Sequence, residues 1–255
     1  MDEANKQQRK FIQMTTAPVE GLIFSLAVPA MMIMLISGLY NMADTYFVGS
    51  LGTSAVGAVG IAFPLMAIIQ ALGFFFGQGS GNYISRELGA QRLENASKMA
   101  ATGFFSSILI MGVLSVIGLI TLSSLARALG ATVTILPYAR DYIGFILIGA
   151  PVMTGSLVLN QQLRFQGSAM YAMVGMISGA ILNIFLDPLF IYVFGLGVKG
   201  ASLATILSQT VSGVILLIGC SMKGNIGIRF KNFSPSFSNY REIFRGGIPA
   251  LLRQG

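Results

Sequence analysis

The sequence has no histidine and one cysteine, and charged residues make up only 10% of its 255 positions. Without histidine there is no imidazole proton relay and no histidine metal site. A single cysteine, Cys220, excludes an internal disulfide and a cysteine metal cluster. The shortage of charge excludes most. Soluble domains carry roughly 25% charged residues, whereas here hydrophobic residues reach 54% and the mean hydropathy is +0.75. Such a chain keeps most of its length in lipid. The net charge of +7 invites a nucleic-acid reading, but the placement of the charges fits membrane orientation better. The first residues are polar and basic, so no cleavable signal peptide is evident.

Each membrane crossing needs about 20 apolar residues. Six runs reach that length, at about 22–49, 55–83, 99–122, 142–162, 171–194 and 201–222. Pro29, Pro64 and Pro151 lie inside the first, second and fourth runs, where they are expected to kink a helix. With the N-terminus in the cytoplasm and the runs alternating, twelve basic residues fall on the cytoplasmic side, including Lys6, Arg9, Lys10, Arg86, Arg164 and Lys223. Only Arg127, Arg140 and Lys199 fall on the other side. This asymmetry selects that topology.

The fifth run, ILNIFLDPLFIYVFGLG over 181–197, is apolar except for Asn183 and Asp187. Four residues apart, they share one helix face. Pro188 has no N–H and clashes with the carbonyl of Ile184, which is therefore left free as a further oxygen. A charged Asp at mid-helix costs about 2.5–3.5 kcal/mol on insertion scales, so it needs a role and a partner. The plainer alternative is an Asp that caps a broken helix or pairs across the bundle. Asp44 is the other acid well inside an apolar run. Helical rise puts Asp44 and Asp187 roughly 8–12 Å below the outer ends of their runs, and Thr205 of the sixth run about 6 Å below its own. Three polar groups on three helices thus share the outer half of the bilayer. Two carboxylates in a low-dielectric site need a positive charge between them, supplied by a proton or by Na⁺.

The segments IFSLAVPAMM (23–32) and IFRGGIPALL (243–252) match in register, and the second opens a new apolar run after six helices. That is the pattern of a parallel repeat in a transporter half. The expected organisation is a cytoplasmic N-terminal segment over 1–17, a six-helix lobe over 18–222, a cytoplasmic linker over 223–242 and the truncated start of a second lobe over 243–255.

NMADTYFVG (41–49), AVGAVGIAFPL (55–65), GNYISRELGAQRLENA (81–96) and NIFLDPLFIYVFGLGVKGASLAT (183–205) together resemble the multidrug and toxic compound extrusion (MATE) family of cation-coupled antiporters. The resemblance runs from Pro18 to Gly255 and leans toward the drug-efflux branch. It implies an all-α integral membrane fold, the six-helix N-terminal lobe of a twelve-helix, two-lobe transporter, followed by the start of helix seven. It implies a coupling-cation site at Asp44, Asn183, Asp187 and Thr205, and a substrate path touching Tyr40, Tyr142 and Asn160. It implies no cofactor, only Na⁺ or H⁺ as coupling ion. The expected partners are amphipathic organic cations, the lipid bilayer and the missing C-terminal lobe of the full-length form, with no nucleic acid. The expected location is the cell membrane, and the expected activity is transport rather than catalysis, since no nucleophile–base constellation is visible. Two other functions stay open: a non-transporting membrane fragment, and a lipid or polysaccharide flippase of related architecture.

Smaller features have two readings each. Tyr40, Tyr142 and Asn160 serve equally well as interhelical hydrogen-bond formers. Met31, Met32, Met34 and Met42 offer either an adaptable drug surface or ordinary packing. Gly175 and Gly179, in step with Asn183, form a small-residue stripe suited to close helix contact. The glycines of FFFGQGSG lack the Lys-Ser/Thr of a phosphate loop.

Overall fold

The computed structural model describes residues 19–222 and 224–254. The N-terminal segment, with Lys6, Arg9 and Lys10, and also Lys223 and Gly255, lie outside the described residues. The chain is a bundle of helices: α1 (Val19–Gly49), α2 (Thr53–Gly89), α3 (Leu93–Ile120), the short α4 (Leu122–Ala128), α5 (Leu136–Phe165), α6 (Ala169–Pro188), α7 (Val198–Ser221) and α8 (Phe237–Gln254). A π-helical turn, Leu189–Val193, extends α6. Six of these helices are long and apolar enough to cross a membrane. The fold is the all-helical six-span lobe that the composition called for.

The helices outrun the apolar stretches that predicted them. α2 continues through Arg86 and Glu87 to Gly89, and α3 begins at Leu93. The charged connection is therefore a tight turn, with Gln91 in the left-handed region at φ 57°. Polar side chains do not end a helix that has reached water; there they can hydrogen-bond without cost. Glu87 accepts a hydrogen bond from Asn95 Nδ2 at 3.0 Å across this turn, and Lys98 pairs with Glu94 at 2.7 Å.

α5 is the central helix. It packs against α2, α3, α6 and α7, and α2 additionally holds α3 and α8. Small residues let these helices approach. A Cβ on Gly73 would stand 2.7 Å from Leu157 Cβ, and one on Gly77 2.8 Å from Gln161 Cβ. The glycines of FFFGQGSG are thus helix-packing positions. The same holds for the stripe on α6, where a Cβ on Gly175 would lie 2.5 Å from Leu216 Cδ2 and one on Gly179 2.8 Å from Ser212 Cβ.

The 223–242 segment is not all linker. Residues 225–234 are tied to the bundle: the N–H of Ile226 donates to Gln166 Oε1 at 2.7 Å, Thr102 Oγ1 donates to the Ser234 carbonyl at 3.2 Å, and Phe105 meets the rings of Phe230 and Phe233. Helix α8 then starts at Phe237, six residues before the boundary expected at 243. Ser236 caps it, its Oγ accepting from the N–H of Asn239 at 3.3 Å. α8 lies against α2 so closely that a Cβ on Gly79 would be 2.3 Å from the Ile243 carbonyl oxygen. Arg86 of α2 and Glu242 of α8 form an ion pair at this end. At the opposite end Lys199 pairs with Asp141 at 3.4 Å.

Candidate functional site

α1 makes few contacts with α2 and α7 and rests chiefly on α6. That pairing decides which polar groups meet. Asp44 on α1 comes within electrostatic reach of Asp187 on α6. Tyr40, one turn before Asp44, and Tyr142 of α5 lie within reach of both carboxylates. Asp187 is fully buried, Asn183 is 2% exposed and Thr205 3% exposed. Asp44 and Tyr40 are half-buried. The observed helix ends put all three depths together. Asp44, Asp187 and Thr205 lie about 8, 9 and 10 Å from the C-terminal ends of α1 and the π turn and the N-terminal end of α7 at 1.5 Å per residue.

The backbone around Asp187 is built to change course there. Pro188 cannot donate back to Ile184, and the N–H of Leu189 turns to the Leu186 carbonyl. The chain then widens into the π turn, a feature common at functional sites. The turn is fastened to the C-terminal end of α1. Tyr192 Oη lies 2.6 Å from Ser50 Oγ and donates to the Phe47 carbonyl at 3.2 Å, with the Phe47 and Tyr192 rings edge to face.

The hydrogen bonds inside the site leave oxygens over. Asn183 Nδ2 donates to Asp187 Oδ1 at 3.4 Å, a long bond. Thr205 Oγ1 gives its proton to the Ala201 carbonyl at 3.0 Å, so its lone pairs stay available. Asp44 Oδ1, Asp187 Oδ2 and Asn183 Oδ1 are buried with no hydrogen-bond partner among the described residues. A small cavity of about 30 Å³ adjoins Asn183, lined also by Tyr40, Met176, Gly179, Ala180, Thr205, Ser208 and Gln209. Carboxylate, amide and hydroxyl oxygens are the donor set of a hard cation or a proton site. No cluster of three His, Cys, Asp or Glu residues stands among the described residues, so the donor set is not that of a transition-metal cage.

Asn160 is not brought into this cluster. It sits about 27 Å along α5 from Tyr142, and its Nδ2 donates to the Ala172 carbonyl at 3.0 Å, fastening the start of α6. The methionines of α1 do not fill the lobe: Met34 and Met42 are 71% and 72% exposed. Ser208 is the residue that sequence reasoning missed. Its only signal is its place one turn beyond Thr205 on the same face of α7.

The MatE family profile matches residues 29–189, more than half of the chain. The chain belongs to the MATE family. It is 33% identical over 228 residues to the multidrug export protein MepA of Staphylococcus haemolyticus, covering 89% of this chain and 50% of that protein. Among solved structures it matches a MOP superfamily transporter from Pyrococcus furiosus, described as having a binding pocket of reverse polarity, with TM-score 0.87, 34% identity and coverage of 95% and 54%. It also matches a MATE protein solved in complex with MaL6, with TM-score 0.87, 35% identity and coverage of 95% and 54%. The chain spans about half the length of the curated relatives it matches. It is a multi-pass membrane protein with the architecture of one MATE lobe.

Proposed function

We propose that this chain is the N-terminal lobe of a cation-coupled multidrug antiporter in the cell membrane, with its N-terminus in the cytoplasm, and that Asp44, Asn183, Asp187 and Thr205 form the coupling site for Na⁺ or H⁺. The observation that carries this is the docking of α1 on α6, which brings within electrostatic reach the two acids that lie well inside apolar helices. Two carboxylates removed from bulk water repel unless a positive charge lies between them. An incoming ion supplies that charge, and a cationic drug competes for the same negative site, which is the simplest basis for exchange. Exported substrates are amphipathic organic cations, in keeping with relatives named as multidrug export proteins. A second lobe completes the drug cleft in the full-length form. The reading is transport without a catalytic step. A flippase for anionic lipids or polysaccharides calls for a basic cavity, and no Lys or Arg lines the cavity at Asn183 and Thr205 among the described residues.

The test is Asp44→Asn and Asp187→Asn, made separately in the two-lobe protein, with dye efflux from proteoliposomes driven by an imposed Na⁺ or proton gradient. Both substitutions are expected to abolish ion-driven efflux. Undiminished coupled efflux in both variants refutes the assignment. Dye efflux from cells expressing this chain alone separates an active transporter from a non-transporting fragment.

A further inference from the structure

Ser208 stands apart from the other hydroxyl residues of α7. Ser212 Oγ meets Met176 Sδ at 4.0 Å, and Ser202, Thr205, Thr210 and Ser221 each donate to a carbonyl of their own helix, at 2.9, 3.0, 2.7 and 3.0 Å. This is the usual way an apolar helix accommodates a hydroxyl. Ser208 Oγ makes no such bond. It is buried, the residue being 2% exposed, and has no partner among the described residues. It lines the same cavity as Asn183, whose Oδ1 is also unpartnered and whose Nδ2 donates to Asp187. A hydroxyl left unsatisfied away from water is costly; Ser115 and Thr154 also carry an unpartnered Oγ, but of the three only Ser208 lines this cavity, and the room beside it points to a ligand.

The room is built by the neighbouring helix. Gly179 faces Ser208 across the α6–α7 seam, and a Cβ there would lie 3.1 Å from the Ser208 carbonyl oxygen. The cavity of about 30 Å³ exceeds the roughly 10–15 Å³ that one water requires, and a buried water needs two to four polar partners. Ser208 Oγ, Asn183 Oδ1 and the lone pairs of Thr205 supply them. A proton shared by two carboxylates needs no such space. A hard cation takes on the order of six oxygen ligands and commonly keeps some of them as water.

We propose that Ser208 is a positioning residue for the coupling ion: with Asn183 it holds a water molecule in this cavity, and that water completes the oxygen shell of an alkali cation at Asp44 and Asp187. The inference rests on the coupling-site reading above and specifies the ion that the site takes. Ser208 acts through the water and touches no carboxylate.

The test is ²²Na⁺ binding to the purified chain in nanodiscs, with choline chloride holding ionic strength constant, for the parent and for Ser208→Ala, Ser208→Thr and Asp187→Asn. Melting temperature in choline chloride is the folding control. Ser208→Ala is expected to weaken Na⁺ binding roughly three- to tenfold, the worth of one neutral hydrogen bond. Ser208→Thr keeps the hydroxyl and is expected to stay within about twofold of the parent. Asp187→Asn is expected to lose binding. Loss in Asp187→Asn with no change in Ser208→Ala overturns the role of Ser208 and leaves the coupling site standing. Equal weakening in the Ala and Thr variants assigns Ser208 to packing and also overturns the proposal, as does a parent that binds no Na⁺. Parent-like binding by Asp187→Asn instead overturns the coupling-site reading itself.

Discussion

Gly200, in the first turn of α7, has backbone where a side chain would go. A Cβ there would lie 2.7 Å from both the carbonyl carbon and the oxygen of Phe190 and 3.0 Å from the nitrogen of Ile191. These atoms belong to the π turn, so no rotamer change relieves the clash. Gly200→Ala has to push α7 from the π turn by about 0.7 Å to restore ordinary contact. Overpacking of this kind costs about 1–3 kcal/mol, and the better helix propensity of Ala returns about 1 kcal/mol. Because the clash is with three backbone atoms rather than a movable side chain, the upper part of that range, about 2–3 kcal/mol, applies, and the net loss of about 1–2 kcal/mol lowers the melting temperature of a chain this size by roughly 2–8 °C. Gly38→Ala is the matched control. Nothing lies within 4 Å of its Cβ position, so only the propensity gain acts and the melting temperature holds or rises slightly. Cys220 provides the assay, because it is buried and is the one thiol in the chain. A fluorogenic maleimide reacts with it only as the α5–α6–α7 core opens. Gly200→Ala melting within 1 °C of the parent (about 0.3 kcal/mol by the same conversion), or Gly38→Ala falling as far as Gly200→Ala, refutes the reasoning.

The α2–α8 contact sets a similar contrast. Gly79→Ala drives a Cβ against the Ile243 carbonyl and is expected to free α8, read as faster hydrogen exchange over 237–250. Glu242→Gln removes only the partly exposed ion pair with Arg86, worth about 0.2–1 kcal/mol, and should leave that exchange nearly unchanged. Gln162 is fully buried between α2 and α3, its Nε2 donating to Ser80 Oγ at 2.9 Å and to the Ala100 carbonyl at 3.1 Å. Gln162→Leu removes both hydrogen bonds, each worth about 0.5–1.5 kcal/mol, and is expected to cost about 1–3 kcal/mol, seen as a lower melting temperature by the Cys220 assay.

The spans were legible because the membrane imposes a length and forbids charge, and both constraints act on local sequence. Asp44 and Asp187 stood out for the same reason: a carboxylate is conspicuous in a run that otherwise carries none. Helix ends were less legible. Arg86, Glu87 and Glu94 read as a connection by charge, yet helix and water coexist at the bilayer surface and the turn shrinks to three residues. The early start of α8 had a visible signal in Pro235 and Ser236, a turn-and-cap pair, but the basic residues around it suggested a linker. Ser208 was not legible, because serines in apolar helices usually bond to their own backbone. Only the packing shows that this one does not. Asn160 shows the opposite limit. Its polarity marks it on a buried helix, but only the neighbouring carbonyl of Ala172 gives its use.

The placement of the acid pair has a consequence for motion. Asp187 lies on α6, which α5 and α7 hold from the inside, whereas Asp44 lies on α1, which leans mainly on α6 and leaves Phe24, Met34, Leu35, Met42 and Tyr46 more than half exposed. A change of charge at the pair therefore acts on one firmly held helix and one lightly held helix. An uncompensated carboxylate in a low-dielectric site costs several kcal/mol. Swinging a two-state equilibrium from 1:99 to 99:1 takes about 5.5 kcal/mol. The two quantities are of the same order, so on the proposed coupling one bound cation supplies energy enough to reposition α1. Pro29, buried on the N-terminal side of Asp44 within α1, is the place where that helix bends most cheaply. Were the same pair carried by α2 and α5, whose mutual packing is the most extensive in the bundle, the same energy would be spread over contacts too many to break together. The coupling proposed here follows from the acid sitting on the least supported helix as much as from the acid itself.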